Sequence, residues 1–346
     1  MRAPGSEPAP SLIDTMEADA ARRPASPTPA ARPAVASWKF PKPAPLDWGF
    51  TGDFIRSGRK WPLERPLLPQ QERALEEADL KRGHCFFIDA GGGKTGVCIA
   101  EASHLWSEGK IDGMVVVAPL GPHQQWATEQ FPTLCSIPWR AAYTGMPSRE
   151  FDRFMLAKAE QMPVLVLHYD MLRTPKARPI MEAFVARWPR YYLAIDESSR
   201  IKTHSAERTK AVFILSRNAT YRRALTGTPL LNGLENLWSQ YHAVQEGVTG
   251  FRLFTDYRRY YCILKPIPGA RSAHAQMIVG YRNQADLISR VRPYTTRIEA
   301  REFKKGPDPM FMRISVPMGA RQQAAYAEMK GSLRAAVGGG PVGAVN

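Results

Sequence analysis

An α/β fold with a parallel sheet flanked by helices is what this sequence predicts, on three observations. Five short apolar runs recur between residues 84 and 226. Longer helical patterns fill the intervals between them. A glycine-rich turn follows the first run and opens a helix. A strand in a sheet covered on both faces is buried on both sides, so it reads as a continuous apolar run; a half-exposed strand would alternate.

The elements follow in order. Residues 1–45 hold ten of the 30 prolines and few large apolar side chains. Such a segment buries too little surface to offset its ordering entropy, and a disordered Pro/Ala-rich tail is expected. His84-Cys85-Phe86-Phe87-Ile88 is the first strand. Met114 to Ala118, Val164 to Leu167 and Tyr191 to Ile195 follow, and Arg223 to Thr226 is a weaker fifth. Helical patterns run from Thr95 to Glu108 and from Ser148 to Ala159. Beyond Gly233 no further strand is expected. A helix-rich, aromatic and basic region reaches to about Phe303, and Arg321 to Arg334 reads as a last helix before Gly338-Gly339-Gly340-Pro341. The expected organisation is a tail at 1–45, a sheet-containing lobe at 46–250 and a basic helical extension at 251–346.

Composition narrows the function classes. The 346 residues carry 47 Lys and Arg against 32 Asp and Glu, a net charge of +15. That excess points to a polyanion such as nucleic acid. From Phe251 to Lys305 there are 12 basic and four acidic residues, which is +8 of the total. No run of about 18 apolar residues could span a membrane. The four cysteines and seven histidines show no metal-ligand or disulfide spacing, so no transition metal is expected and a reducing, cytoplasmic setting is.

The turn after the first strand reads Asp89-Ala90-Gly91-Gly92-Gly93-Lys94-Thr95. Gly91, Gly92 and Gly93 let backbone N–H groups approach phosphate oxygens, and the helix start adds free donors and a favourable dipole. Lys94 would neutralise the β- and γ-phosphates, and the Thr95 hydroxyl would bind Mg²⁺. The strict phosphate-loop pattern wants glycine six positions before the lysine, where Ile88 stands; the shorter G-x-G-K-T core is met. Asp196-Glu197 ends the fourth apolar strand. Ligands of a parallel sheet gather at the carboxyl ends of its strands, which sets Asp196 beside the loop as a second Mg²⁺ group. Glu197 would orient and activate the attacking water. Together these residues imply a site that hydrolyses a nucleoside triphosphate with Mg²⁺; the resemblance given next makes that nucleotide ATP.

The residues now reached resemble the Swi/Snf-type ATPases, DNA translocases of helicase superfamily two, in their phage and bacterial form. Asp196-Glu197-Ser198-Ser199-Arg200-Ile201-Lys202 looks like that family's second motif, and Leu225-Thr226-Gly227-Thr228-Pro229-Leu230-Leu231-Asn232 its third. Val117-Ala118-Pro119-Leu120 with Gln125-Trp126 is similar to motif Ia, His168 to Leu172 to the next segment, and Leu68-Pro69-Gln70-Gln71 to the opening motif. The resemblance runs from about Pro66 to Lys330. It implies a RecA-like P-loop NTPase lobe that works on duplex DNA. Gln71 would read adenine. Thr226, Gly227, Thr228 and Ser199 would couple hydrolysis to movement. His123, Gln125, Arg173 and Arg297 would meet DNA, and Trp126 would stack on a base or pack inside. The family often has His at the position of Ser199. It also uses a second RecA-like lobe carrying an arginine finger, and nothing resembling that lobe is present, so low turnover is expected of this chain alone. A bacterial cell or a phage-infected host is the expected setting. Two other readings stay open: the motor lobe of a restriction-type or other superfamily-two helicase, and a non-catalytic DNA-binding module.

Overall fold

The computed structural model describes residues 60–79, 81–156, 160–230, 233–267, 275–304, 312, 316–332, 334–337 and 340–343. The expected tail at 1–45 lies outside the described residues, as do Leu231 and Asn232 of the third motif and the residues after Leu156 of the Ser148 helix.

Seven strands form one wholly parallel sheet: β1 (Gly83–Ile88), β2 (Gly113–Ala118), β3 (Trp139–Tyr143), β4 (Met162–His168), β5 (Tyr191–Asp196), β6 (Tyr221–Thr226) and β9 (Thr295–Ile298). Their spatial order is β3-β4-β2-β5-β6-β1-β9. The helices are α1 (Pro69–Ala78), α2 (Lys94–Ser107), α3 (Ser148–Leu156), α4 (Ala177–Arg187), α5 (Glu207–Asn218), α6 (Glu235–Val244), α7 (Phe254–Tyr261) and α8 (Gln284–Val291). Between β2 and β3 the chain runs as Pro122–Gln125, a π turn at Trp126–Gln130, and Phe131–Leu134. No described helix is long and apolar enough to cross a membrane.

The apolar runs are continuous because both sheet faces are covered. In β2, Met114, Val116 and Ala118 pack with α1 and α2 residues such as Leu75, Val97 and Ala102. Val115 and Val117, between them in sequence, pack on the other face with Ile180 and Phe184 of α4 and Val212 of α5. A third cluster sets Cys85 and Phe87 of β1 against Leu237 and Tyr241 of α6, Tyr257 and Tyr261 of α7, and Leu287 of α8. The aromatics of the basic region are thus divided: Tyr257 and Tyr261 are core, while Tyr260 is exposed.

One expectation is corrected here. Strands do not stop at Gly233. An antiparallel hairpin, β7 (Cys262–Pro266) with β8 (Gln276–Tyr281), follows α7. After α8, β9 adds to the main sheet beside β1, with Phe87 opposite Arg297 and Ile88 opposite Ile298. Thr-Thr-Arg-Ile has no apolar run to announce it; its partner strand and the α8 connection decide its conformation. The expected extension is therefore divided, and its residues up to Lys304 belong with the sheet. A second unit holds α9 (Ala320–Ser332), close to the expected helix, and a short hairpin of β10 (Arg334–Val337) with β11 (Gly340–Gly343).

Candidate functional site

The loop after β1 is shaped by glycine. Gly91 and Gly93 adopt φ +87° and +79°, the left-handed region that side chains disfavour. Gly93 caps α2, whose first residues are Lys94 and Thr95. The Gly92 N–H turns back to Asp89 O at 3.0 Å. Gln71 touches this loop from α1: its Nε2 donates to Gly92 O at 3.0 Å, and its Oε1 accepts from Leu68 N–H at 2.9 Å. A Cβ on Gly93 would lie 2.2 Å from Gln71 Nε2, so a side chain there would displace the Gln71 amide, while φ +79° itself favours glycine.

Three neighbouring strand ends converge on the loop. Asp196 ends β5 and Thr226 ends β6, which lies between β5 and β1. Glu197 follows Asp196 with φ +48°, an uncommon conformation for a residue with a side chain. This turn aims its carboxylate back at the loop. Lys94 Nζ lies 3.2 Å from Glu197 Oε1, and Thr226 Oγ1 donates to Glu197 Oε2 at 3.2 Å. Thr226 Oγ1 in turn accepts the Thr228 N–H at 3.1 Å. Gly227 is close under the loop: a Cβ there would meet Ala90 N and Ile88 O at 3.3 Å.

Asp196 is buried, and its carboxylate is held from two sides. Trp126 Nε1 donates to Oδ2 at 3.0 Å, and the Glu197 N–H donates to Oδ1 at 3.0 Å. Tyr169 O–H fixes the Asp196 carbonyl at 2.7 Å. Burial pushes the Asp196 carboxyl above its ordinary range, with the Glu197 carboxylate adding to the rise, while the Trp126 bond and Lys94 oppose it. A buried carboxylate with this imbalance is suited to a cation. Among the described residues no His, Cys, Asp and Glu group has a metal cage of its own, so a cation here would draw other ligands from water or phosphate.

The other residues singled out in the sequence fall into two sets. Gln125 is exposed at the end of its helical turn, and Arg173 is exposed, 4.0 Å from Asp170. His123 and Arg297 are occupied internally. His123 is buried, its Nε2 3.0 Å from Thr144 O. Arg297 Nη2 donates to Asp89 Oδ1 at 2.7 Å, and its Nη1 donates to Phe87 O at 3.0 Å and Gly227 O at 3.4 Å. Both side chains thus bond to backbone or carboxylate groups near strand ends. Trp126 packs inside, the second of the two places expected for it. Ser199 is half-buried; its neighbour Ser198 is fully buried, with Oγ donating to Gln240 Oε1 at 2.7 Å.

Sequence reasoning missed the clamp on Asp89. Arg297, the Ala300 N–H at 2.9 Å on Oδ2, and the Asp89 N–H on Ile298 O at 3.0 Å bind the start of the phosphate loop to β9. Asp89 next to a glycine run was the available signal, but its partner stands 208 residues away.

Comparison with known proteins places this geometry. The SNF2-related domain matches residues 71–336. A probable ATP-dependent DNA helicase, CHR12, of Arabidopsis thaliana is 32% identical over 155 residues, which is 44% of this chain and 13% of that protein. The DNA excision repair protein ERCC-6-like of Bos taurus is 25% identical over 236 residues, 66% of this chain and 18% of that one. The chain thus spans under a fifth of the length of these relatives. They are eukaryotic and lend no support to the expected phage or bacterial type. The Sulfolobus solfataricus SWI2/SNF2 ATPase core in complex with dsDNA shares the fold, with a TM-score of 0.52 at 22% identity over 70% of this chain and 46% of that one. The parallel sheet, the glycine loop at its first strand and the match over most of the chain agree: this chain belongs to the SNF2-related domain family.

Proposed function

We propose that this chain is the ATP-binding first lobe of a DNA-dependent ATPase that couples hydrolysis to movement on duplex DNA. The carrying observation is the convergence of Lys94, Glu197 and Thr226 at the strand ends beside the glycine loop. ATP, with Mg²⁺, supplies the phosphoanhydride whose cleavage drives the cycle. The N–H groups of Gly91, Gly93, Lys94 and Thr95, with Lys94 Nζ, would bind its phosphates, and Thr95 and Asp196 would hold the cation. The fit rests on the left-handed glycines that lead into the α2 N-terminus and on the buried Asp196 carboxyl, whose ionised form a cation would favour.

Lys94 pairs with Glu197 at 3.2 Å. Phosphate at Lys94 would release that carboxylate to accept a proton from water. Thr226, bonded to Glu197 and to Thr228 N–H, would sense the release. Gln71, already on Gly92 O, would report adenine to the loop. DNA would run along the strand ends near Gln125 and Arg173 and over the basic region after Phe251. A second RecA-like lobe would supply the arginine finger, worth roughly 10³–10⁵ in rate in other P-loop enzymes, so slow turnover is expected without it.

The test is ATP·Mg²⁺ titration by calorimetry with wild type, Lys94→Ala and Glu197→Gln. Lys94→Ala should lose affinity. Glu197→Gln should keep binding and lose about 10²–10⁴-fold in hydrolysis when DNA and the second lobe are present. Unchanged affinity in Lys94→Ala would overturn the assignment of the loop.

A further inference from the structure

The segments around Glu197 and Thr226 are joined twice. One link faces the crevice, through Thr226 Oγ1 on Glu197. The other runs inside the core. Ser198 Oγ donates to Gln240 Oε1 at 2.7 Å, and Gln240 Nε2 donates to Pro229 O at 2.9 Å and to Asn236 O at 3.1 Å. Ser198 and Gln240 are both wholly buried. Burying a primary amide is costly unless its donors and acceptor are all used, and here they are. Gln240 stands on α6 among Leu237, Tyr241 and Val244, where an apolar side chain would fill the space without that cost. What the amide adds is a tie between two chain segments that meet the nucleotide site from different strands.

We propose that Gln240 is a positioning residue that transmits the state of Glu197 to the Thr226–Pro229 segment through Ser198. This rests on the ATPase reading and adds a route to it. Glu197 sits at φ +48°, and Ser198 opens the short helical turn Ser198–Ile201 directly after it. When the Glu197 carboxylate leaves Lys94, any adjustment of that backbone moves Ser198 Oγ. The Oε1 and Nε2 of one rigid, planar amide bond Ser198 and the Pro229 carbonyl, so a displacement of Ser198 Oγ turns the amide and is passed to Pro229, one residue beyond Thr228. Ser198 thereby adds a second link beside the coupling expected of Ser199, its neighbour.

The experiment is hydrogen–deuterium exchange of the 346-residue chain, free and with ATP·Mg²⁺, in wild type, Gln240→Met and Ser198→Ala. Gln240→Met keeps length and approximate volume while removing every polar contact. In wild type, ATP·Mg²⁺ should change exchange in peptides covering 89–97 and 226–237. In Gln240→Met the affinity and the response at 89–97 should persist, and the response at 226–237 should be lost. A merely structural role lowers the melting temperature and leaves the nucleotide-dependent difference intact; that outcome overturns the relay. Ser198→Ala removes a single oxygen and reads the same link if Gln240→Met does not fold. Wild type that binds ATP without any response at 226–237 overturns the relay alone, whereas wild type that binds no ATP overturns the ATPase reading with it.

Discussion

His84 shows how a single buried residue sets a condition on the whole fold. It opens the apolar part of β1, is fully buried, and its Nε2 lies 2.9 Å from Thr296 Oγ1 on the neighbouring strand. Burial, with Arg223 and Lys81 close by, holds its imidazole well below the ordinary range. The unfolded chain takes up a proton near pH 6.5 and the folded chain does not. Stability is therefore full above that pH and falls as pH drops below it, by about 1.4 kcal/mol per unit for this one group. Denaturant midpoints at about pH 7.5 and 5.5 should differ less in His84→Gln than in wild type; equal differences would sink the assignment. Glu197 is the counterpart at the proposed site. Its left-handed backbone is of the kind that costs about 1–3 kcal/mol and persists where its surroundings impose it. Here Lys94 and Thr226 hold the carboxylate in place. Gly93→Ala tests the same constraint in the loop: φ +79° and the close approach of Gln71 should weaken ATP binding and lower the melting temperature.

At the scale of elements, α2 must stay fixed for Lys94 to be useful. It is tied to the sheet by a buried ion pair. Arg223 of β6 donates from Nε to Glu101 Oε2 at 2.8 Å and from Nη2 to Oε1, and Tyr192 of β5 donates to Glu101 Oε2 at 2.8 Å. Arg223 also donates to Lys81 O at 3.0 Å and Arg222 O at 2.9 Å. Removing one member of such a pair leaves a buried charge alone, which costs about 3–5 kcal/mol, whereas removing both often costs little. Arg223→Met should therefore be strongly destabilised in urea denaturation, and Arg223→Met with Glu101→Met less so. Additive losses would show that the two side chains do not act as a unit. The strand β9 is the other element that matters to the site, since its Arg297 holds Asp89 and the start of the phosphate loop.

At the scale of the molecule, the net charge of +15 is the widest feature. Many basic groups near α7 serve the fold: Arg258 donates to Gln276 O, and Arg282 to Tyr260 O and Arg259 O. Others are solvent-exposed, Arg259 at 79% and Arg301 at 84%, each beside a carboxylate of its own segment, Asp256 at 3.8 Å and Glu299 at 2.7 Å. Binding to duplex DNA should fall steeply with salt, roughly 10³-fold between about 50 and 200 mM for about six phosphate contacts. Arg259→Ala with Arg301→Ala should reduce the log–log slope by about one for each phosphate that these side chains neutralise. Fluorescence anisotropy reads both. A flat salt dependence would remove the polyanion from the account of this charge.

The strands β1, β2, β4 and β5 were legible because burial on both faces leaves an unbroken apolar run, a local property of sequence. The glycine loop and Asp196-Glu197 were legible as a candidate site because the phosphate and cation binding proposed for them demands particular residue types at short spacing. β9, the Asp89–Arg297 clamp and the Ser198–Gln240 link were not. Each depends on partners far apart in the chain, and hydrogen bonding between distant residues leaves no periodic mark. The sequence by itself determined a doubly covered parallel sheet and the candidate site residues at its strand ends. The tertiary structure alone decided which charges hold that site together, because only packing shows which side chains are withdrawn from water and must find their partners inside.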